Sequence, residues 1–155
     1  MDSDLQQKLY DQYPLIFAQK DLQGFETGMC WGISCGDGWY DILDSVCFLV
    51  QERVRQPLEN IRMYERLIAD DPTRIPQWKE RIEEERESML SVQFVQVKEK
   101  FGTLRIYHTS DDPYVEGLVS MAESVSSTTC EHCGNRGTTS TKGWYQTLCD
   151  PCKIS

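Results

Sequence analysis

The spacing of hydrophobic residues changes along the chain and divides it into helices and strands. From Asp41 to Val54, apolar residues recur three or four positions apart, which predicts a helix with one apolar face. Between residues 94 and 107 the period shortens to two. This alternation predicts strands at 94–97 and 104–107, with the stretch "KEKFG" as the turn region between them.

Two further helices are predicted near the ends of the chain. One spans residues 4–12 and ends before Pro14. The other follows Asp112, whose carboxylate can accept hydrogen bonds from the first turn, with Pro113 at the first helical position. Its predicted buried face consists of Val115, Leu118, Val119, Ala122 and Val125.

The middle of the chain has a narrower apolar stripe. Pro57 is expected to break or kink the preceding helix, because proline lacks an N–H group and clashes with the preceding turn. Residues 58–91 then predict a helical hairpin that rests on the body, with Pro76 opening its second helix and Trp78, Ile82 and Met89 facing inwards. The order of elements predicts a helix-dominated α+β fold with a small β-hairpin.

Four of the seven cysteines form two identically spaced pairs near the C-terminus. Cys130 and Cys133 are followed after fifteen residues by Cys149 and Cys152. Two residues between thiolates allow one tight turn to direct both sulfurs at one point, and two such turns complete a tetrahedron. The spacing predicts one structural Zn²⁺ in a zinc-knuckle or ribbon segment at 128–155, after an α+β body at 1–127. Two disulfides and unconnected thiols are the alternatives.

The context of the cysteines favours a metal over disulfides. Their number is odd, and the acidic, polar N-terminus "MDSDLQQKLYDQYP" does not have the pattern of an export signal. A reducing compartment, the cytoplasm, is therefore expected. His132 lies inside the first pair, but four thiolates already complete a site, so its side chain is expected to be exposed.

The charge of the chain is acidic and unevenly distributed. The formal net charge is −9, and residues 1–50 contain eight acids and two bases. Phosphate backbones are repelled by such a surface. The acidic segment either provides solubility alone or faces a basic partner, including a protein that itself binds nucleic acid.

A glycine-rich aromatic loop precedes the first long helix. Its candidate partner-binding residues are Trp31, Asp37, Trp39, Tyr40 and Asp41. The alternative is structural: a tryptophan fills the core, and Asp37 or Asp41 caps the following helix.

The three remaining cysteines are either buried structural thiols or include a nucleophile. Cys30, Cys35 and Cys47 are predicted to be buried structural thiols, and Cys47 lies on the apolar face of its helix. A nucleophilic cysteine needs a nearby base, so Cys35 with His108 and Asp37 is the only candidate catalytic group. We do not expect the protein to be an enzyme.

Basic residues occur in two places. Lys98, Lys100 and Arg105 lie near the strand turn, where they form either a solvated face or a site for a phosphate or an acidic partner. A zinc ribbon that binds nucleic acid would use the basic and aromatic residues of the last segment, Arg136, Lys142, Trp144 and Tyr145.

Several stretches occur here in a familiar order: "CGDGWYDILDSVC", "VKEKFGTLRIY", "CEHCG" and "GWYQTLCDPC". Together they resemble a group of small proteins of unassigned activity carried by tailed bacteriophages and prophages. The resemblance covers about two thirds of the chain and leaves out the hairpin at 58–90. It implies an accessory protein that acts inside a bacterium, and it carries over no catalytic residues.

These observations predict a phage accessory protein that binds another protein. The expected partner is a host enzyme or an antiviral defence system, which the protein would modulate or inhibit in the bacterial cytoplasm. A nucleic-acid-associated accessory in transcription or recombination is the first alternative, and an enzyme with an unrecognised site is the second. No run of apolar residues is long enough to span a membrane.

Overall fold

The computed structural model describes residues 1–24, 26–71, 73, 75–89, 91–141 and 143–154. More of these residues lie in helices than in strands, which confirms the predicted helix-dominated α+β fold. The helices are α1 (Ser3–Gln12), α2 (Tyr40–Asp70), α3 (Ile75–Glu87), α4 (Pro113–Ser126) and α5 (Asp150–Lys153). The strands are β1 (Ile33–Ser34), β2 (Phe94–Lys100), β3 (Thr103–His108), β4 (Thr138–Ser140) and β5 (Gln146–Leu148). None of the described helices is long and apolar enough to cross a membrane.

The main sheet has the order β1–β2–β3. The predicted antiparallel pair β2–β3 is present, with Lys98 opposite Arg105. Both strands are longer than predicted, so the turn is reduced to Phe101 and Gly102 instead of the whole "KEKFG" stretch. The parallel strand β1, paired to β2 through Ile33 and Val97, was not predicted, because two residues carry no measurable alternation.

Helix α4 begins as predicted. The Asp112 carboxylate accepts hydrogen bonds from the backbone N–H groups of Tyr114 and Val115, at 2.9 and 3.1 Å. One position of its predicted buried face is wrong: Val125 is exposed, because it lies at the edge of the contact with α2 and not within it. The other four predicted positions are buried.

Side chains of α4 also protect the free edge of the sheet. The Ser126 hydroxyl accepts a hydrogen bond from the Leu104 N–H group at 2.9 Å, and the Glu123 carboxylate accepts one from Ile106 at 3.1 Å. The Ser126 hydroxyl in turn donates to the carbonyl oxygen of Glu123 at 2.6 Å. An edge strand whose donors are satisfied in this way is not available for pairing with another strand.

Of the two outcomes expected at Pro57, a break is wrong, because α2 continues through it to Asp70, and a kink stays a prediction. Proline removes one backbone hydrogen bond, but packing on both sides holds the helix. On the far side, the rings of Tyr64 and Trp78 stack at 5.6 Å between their centroids, and Asn60 donates a side-chain hydrogen bond to Glu85 at 2.8 Å. The predicted helical hairpin therefore consists of the second half of α2 together with α3.

The hairpin contributes little to the buried interior. Within 58–91, Ile82 is buried, whereas Met89 is exposed and Trp78 is only partly covered. Leu90, the predicted end of the second helix, lies outside the described residues. The core is instead formed between the sheet, α1, α2 and α4, and its largest fully buried side chains include Trp39, Phe17, Phe94, Leu9, Ile16 and Leu43.

Candidate metal centre and exposed surfaces

The four paired cysteines converge on one point. Their sulfur atoms all lie within 4.8 Å of one another. Cys133 and Cys149 are separated by 3.5 Å between sulfurs, and Cys152 and Cys133 by 3.6 Å. A tetrahedral ion with metal–sulfur bonds of about 2.3 Å separates its sulfurs by about 3.8 Å. A disulfide requires about 2.05 Å, and all seven cysteines are free, so the sulfurs are placed for a metal ion and not for bridges.

Local turns place these sulfurs. The first pair lies in the knuckle, residues 130–134, where Gly134 has a φ of +76°, as its position after the second cysteine predicts. The second pair flanks the start of α5, which follows the hairpin of β4 and β5. The Asn135 amide donates a hydrogen bond to the Cys133 sulfur at 3.4 Å. His132 is exposed, as predicted, and is not among the clustered ligands.

The electrostatics of the cluster suit a cation. Burial raises the pKa of the Cys130 thiol, but the N–H groups of Cys149, Cys133 and His132 that face its sulfur outweigh burial and lower the pKa to about 6. The neighbouring sulfurs of Cys149 and Cys133 raise the pKa of Cys152 to about 12. Four thiolates repel one another, so only a bound cation allows all four to ionise together.

The knuckle rests directly on the glycine-rich loop before α2. The Gly38 N–H group donates to the carbonyl oxygen of Glu131 at 2.8 Å, and the Gly36 N–H group donates to the Glu131 carboxylate at 2.9 Å. A Cβ atom on Gly38 would lie 2.2 Å from the carbonyl oxygen of Cys130, and one on Gly36 would lie 2.3 Å from that of Glu131. These two glycines are therefore required by the close approach of two backbones, a role that the sequence did not reveal.

The same contact changes the interpretation of Trp39. This side chain is 0% exposed, and its indole N–H group donates to the carbonyl oxygen of Thr129 at 2.8 Å. The prediction that Trp39 anchors a partner is wrong, because it fills the core beneath the last segment. The structural alternative is right for the tryptophan, but neither Asp37 nor Asp41 caps α2, which has no side-chain cap.

The other predicted partner-binding residues differ in exposure. Trp31 is 76% exposed, and Tyr40 is partly buried against the core. Asp37 is exposed and accepts a hydrogen bond from the Asp2 N–H group at 2.6 Å. Asp41 is exposed at the start of α2. Because Trp39 is buried and Tyr40 is partly buried, Trp31 is the largely exposed aromatic residue of this group.

The three remaining thiols are buried or partly buried. Cys35 and Cys47 are buried as predicted, and Cys30 is partly buried and donates to the carbonyl oxygen of Thr27 at 3.3 Å. Burial raises the pKa of Cys35 to about 12 and raises that of Cys47 well above its usual value. A thiol with a raised pKa is a poor nucleophile at neutral pH.

Cys35 and His108 lie at opposite ends of the sheet. Ser34, the last residue of β1, lies opposite Lys98 of β2, so the next residue, Cys35, comes level with Glu99. Glu99 in turn lies opposite Leu104 of β3. His108 lies four residues beyond Leu104, which is about 13 Å further along β3. The structure therefore does not bring Cys35 and His108 together.

A groove runs between α2 and α4. We call it the α2–α4 groove; one part is lined by Asp41, Ile42, Ser45, Val46, Met121, Ala122 and Val125, and another by Leu49, Glu52, Arg53, Gln56 and Tyr114. The first part has a volume of about 280 Å³ and a largely apolar lining. Met121 is 55% exposed there, and Val125 and Tyr114 are also exposed.

A second surface combines cations with aromatic rings. We call it the basic–aromatic face; it comprises Lys98, Lys100, Phe101, Arg105, Tyr107 and Trp144. Phe101 and Trp144 line a cleft of about 260 Å³ with Lys100, Glu99, Gly143 and Tyr145. The Phe101 and Tyr145 rings meet edge to face, with 6.0 Å between centroids. Two groups of residues considered separately in the sequence thus lie on one surface.

The other two residues predicted for a nucleic-acid-binding ribbon are Arg136 and Lys142. Arg136 is exposed and forms a β-bridge with Thr129. Lys142 lies outside the described residues.

Comparisons with known proteins identify no relative. The chain matches no protein-family model, no curated protein and no solved structure.

Proposed function

We propose that the protein is a zinc-stabilised accessory factor that binds another protein stoichiometrically and does not act by turnover. Following the resemblance to phage and prophage proteins, we propose a host enzyme or an antiviral defence protein in the bacterial cytoplasm as the partner, which this protein would modulate or inhibit. The single observation that carries the proposal is the exposed apolar α2–α4 groove.

Zinc is the metal that best fits the cysteine cluster. Four sulfur ligands near tetrahedral spacing are typical of structural Zn²⁺, which would supply binding free energy to a segment too short to form a core of its own. Cys130, Cys133, Cys149 and Cys152 would hold it and leave no open coordination position. We therefore assign the metal a role in holding the last segment in place against the body.

The α2–α4 groove supports protein binding because it exposes Met121 and Val125, one turn apart on α4, in its first part and Tyr114 in its other part. Met121, Val125 and Tyr114 are each exposed although they belong to a helix whose other apolar residues are buried. Soluble proteins expose contiguous apolar surface of this kind mainly where they bind a partner. The groove between two packed helices is suited to the apolar face of a third helix.

Charge defines the chemistry of the partner further. Asp41 and Glu52 line the groove, and the chain as a whole has a formal net charge of −9. The cation at the groove, Arg53, is paired with Asp112 at 3.2 Å. We therefore propose an amphipathic helix with basic residues beside its apolar face as the occupant.

Capture of a partner from bacterial lysate tests this proposal when matched variants are used as bait. Met121→Gln and Asp41→Lys change the groove, whereas Met63→Gln changes a similarly exposed methionine elsewhere on α2. We expect the wild type and Met63→Gln to retain the same protein, and both groove variants to lose it. Calorimetry with the purified partner should then give a ratio near one to one.

Two results would contradict the proposal. Equal capture by the groove variants and by Met63→Gln would show that this surface is not the binding site. Conversion of many molecules of a substrate by one molecule of the protein would show that it acts by turnover.

A further inference from the structure

The outward face of β2 and β3 has an unusual charge for so acidic a protein. Residues directly opposite each other in an antiparallel pair share a face, so Lys98 lies beside Arg105, and Lys100 beside Thr103. Like charges in such positions destabilise a sheet. Arg105 has Glu123 at 3.7 Å, but neither lysine forms an ion pair with any described residue. The two lysines thus present unneutralised positive charge.

The turn at the end of this face contains a residue, Phe101, that does not suit the backbone conformation of the turn. Phe101 has a φ of +55° and Gly102 a φ of +78°, the conformation of a two-residue hairpin loop that prefers asparagine before glycine. A phenylalanine in this conformation is strained. Phe101 is 65% exposed, so its ring is not required by the core. Its ring meets Tyr145 of the neighbouring hairpin edge to face, and strained residues of this kind cluster at binding sites.

Cations and aromatic rings alternate across the surface. The Lys98 ammonium lies 5.4 Å from the centre of the Tyr107 ring, and the Lys100 ammonium lies 5.6 Å from that of Phe101. Trp144 is 76% exposed beside Phe101. A ligand that is both polyanionic and rich in flat rings would engage all of these groups at once.

We propose that the basic–aromatic face binds single-stranded nucleic acid, with bases stacked on Phe101 and Trp144 and phosphates held by Lys98, Lys100 and Arg105. Stacking does not depend on sequence, so the site is expected to accept DNA or RNA without strong sequence preference. From Gln96 to Lys100 the face is about 13 Å long, the length of about four stacked nucleotides. This site is distinct from the α2–α4 groove, so it does not depend on the proposed protein partner.

The anisotropy of a labelled oligonucleotide of about 12 nucleotides tests the proposal with the zinc-loaded chain of 155 residues. We expect binding at about 50 mM salt, with a slope of log affinity against log salt of about −2, because three cations contact phosphates. A duplex of the same sequence should bind more weakly, because its bases are not available for stacking. Lys98→Gln with Lys100→Gln should reduce the slope to about −0.7.

Phe101→Asn separates binding from folding. Asparagine is preferred at this turn position, so we expect the variant to melt at the same temperature as the wild type or higher. Its affinity for the single strand should nevertheless fall at least fivefold, the low end of what one stacking contact contributes. Trp144→Ala should cause a similar loss. Lys8→Gln with Lys79→Gln removes the same charge from exposed positions on α1 and α3 and should not change the slope.

Four outcomes would overturn the proposal. The first is the absence of salt-dependent binding by single-stranded DNA and RNA. The second is unchanged affinity in both Phe101→Asn and Trp144→Ala. The third is equal affinity for the duplex. The fourth is equally effective competition by an acidic peptide, which would identify the ligand as an acidic protein segment.

Discussion

Replacing Gly38 by alanine tests the contact between the knuckle and the glycine-rich loop. The added Cβ atom would lie 2.2 Å from the Cys130 carbonyl oxygen, 2.4 Å from the Gly134 nitrogen and 2.6 Å from the Cys133 nitrogen. All three are backbone atoms and cannot rotate away as the end of a side chain would. The knuckle must therefore move away from the loop, or the loop away from the knuckle.

The magnitude follows from the contacts that such a movement would break. Three hydrogen bonds cross this contact: Gly38 N–H to the Glu131 carbonyl oxygen, Gly36 N–H to the Glu131 carboxylate, and Trp39 indole N–H to the Thr129 carbonyl oxygen. Each contributes about 0.5–1.5 kcal/mol, so we expect a loss of about 3 kcal/mol in the free energy of unfolding. For a chain of this size that corresponds to a decrease in Tm of about 6–12 °C.

Thermal unfolding followed by circular dichroism measures this effect in zinc-loaded protein. Gly117→Ala is a matched control, because its Cβ atom would meet nothing within 4 Å and alanine favours the helix α4. We expect the control to melt at the same temperature as the wild type or slightly above it. If Gly38→Ala were as stable as Gly117→Ala, with zinc no more accessible to a chelator, the knuckle would not rest on Gly38.

Three further predictions concern the metal site, the helical hairpin and the edge of the sheet. Metal analysis should give one zinc per chain in the wild type and in His132→Ala. Substoichiometric metal, or a disulfide among the four clustered cysteines in fresh reduced protein, would contradict this. Replacing 58–90 with a short linker should leave zinc content and cooperative unfolding intact, since the hairpin buries little; loss of soluble protein would count against it. Ser126→Ala should lower the free energy of unfolding by about 1–3 kcal/mol, because it leaves the buried Leu104 N–H group unpaired, whereas the exposed Ser124→Ala should change it little.

The sequence predicted features whose geometry is set within a few residues. Two intervening residues suffice to direct both sulfurs of a pair, and Asp112 reaches the N–H groups two and three positions ahead. Periodicity likewise predicted the helix that starts near Asp41 and the strands β2 and β3. The division into a body at 1–127 and a separate segment stays a prediction, since the two are joined by hydrogen bonds such as that from Gly38 to Glu131.

The failures came from residues whose role is set by a distant neighbour. The local rule for Pro57 was correct about the lost hydrogen bond but did not include the packing of α3 against the second half of α2. Trp39 is a residue type that often anchors partners, and only its contact with Thr129, ninety residues later, shows that it is covered. Val125 fits the apolar period of α4, but α2 does not extend over it.

The amino-acid sequence by itself determined the cluster of four cysteines and most of the elements, because tight turns, caps and periodic faces depend on bond geometry between near neighbours. The tertiary structure alone decided what the glycines and exposed aromatic residues do. Gly38 carries no side chain, so nothing in its own chemistry indicates that the Cys130 backbone lies against it. Phe101 and Tyr145 are 44 positions apart and share a cleft only because two hairpins meet, and packing of the whole chain fixes that meeting.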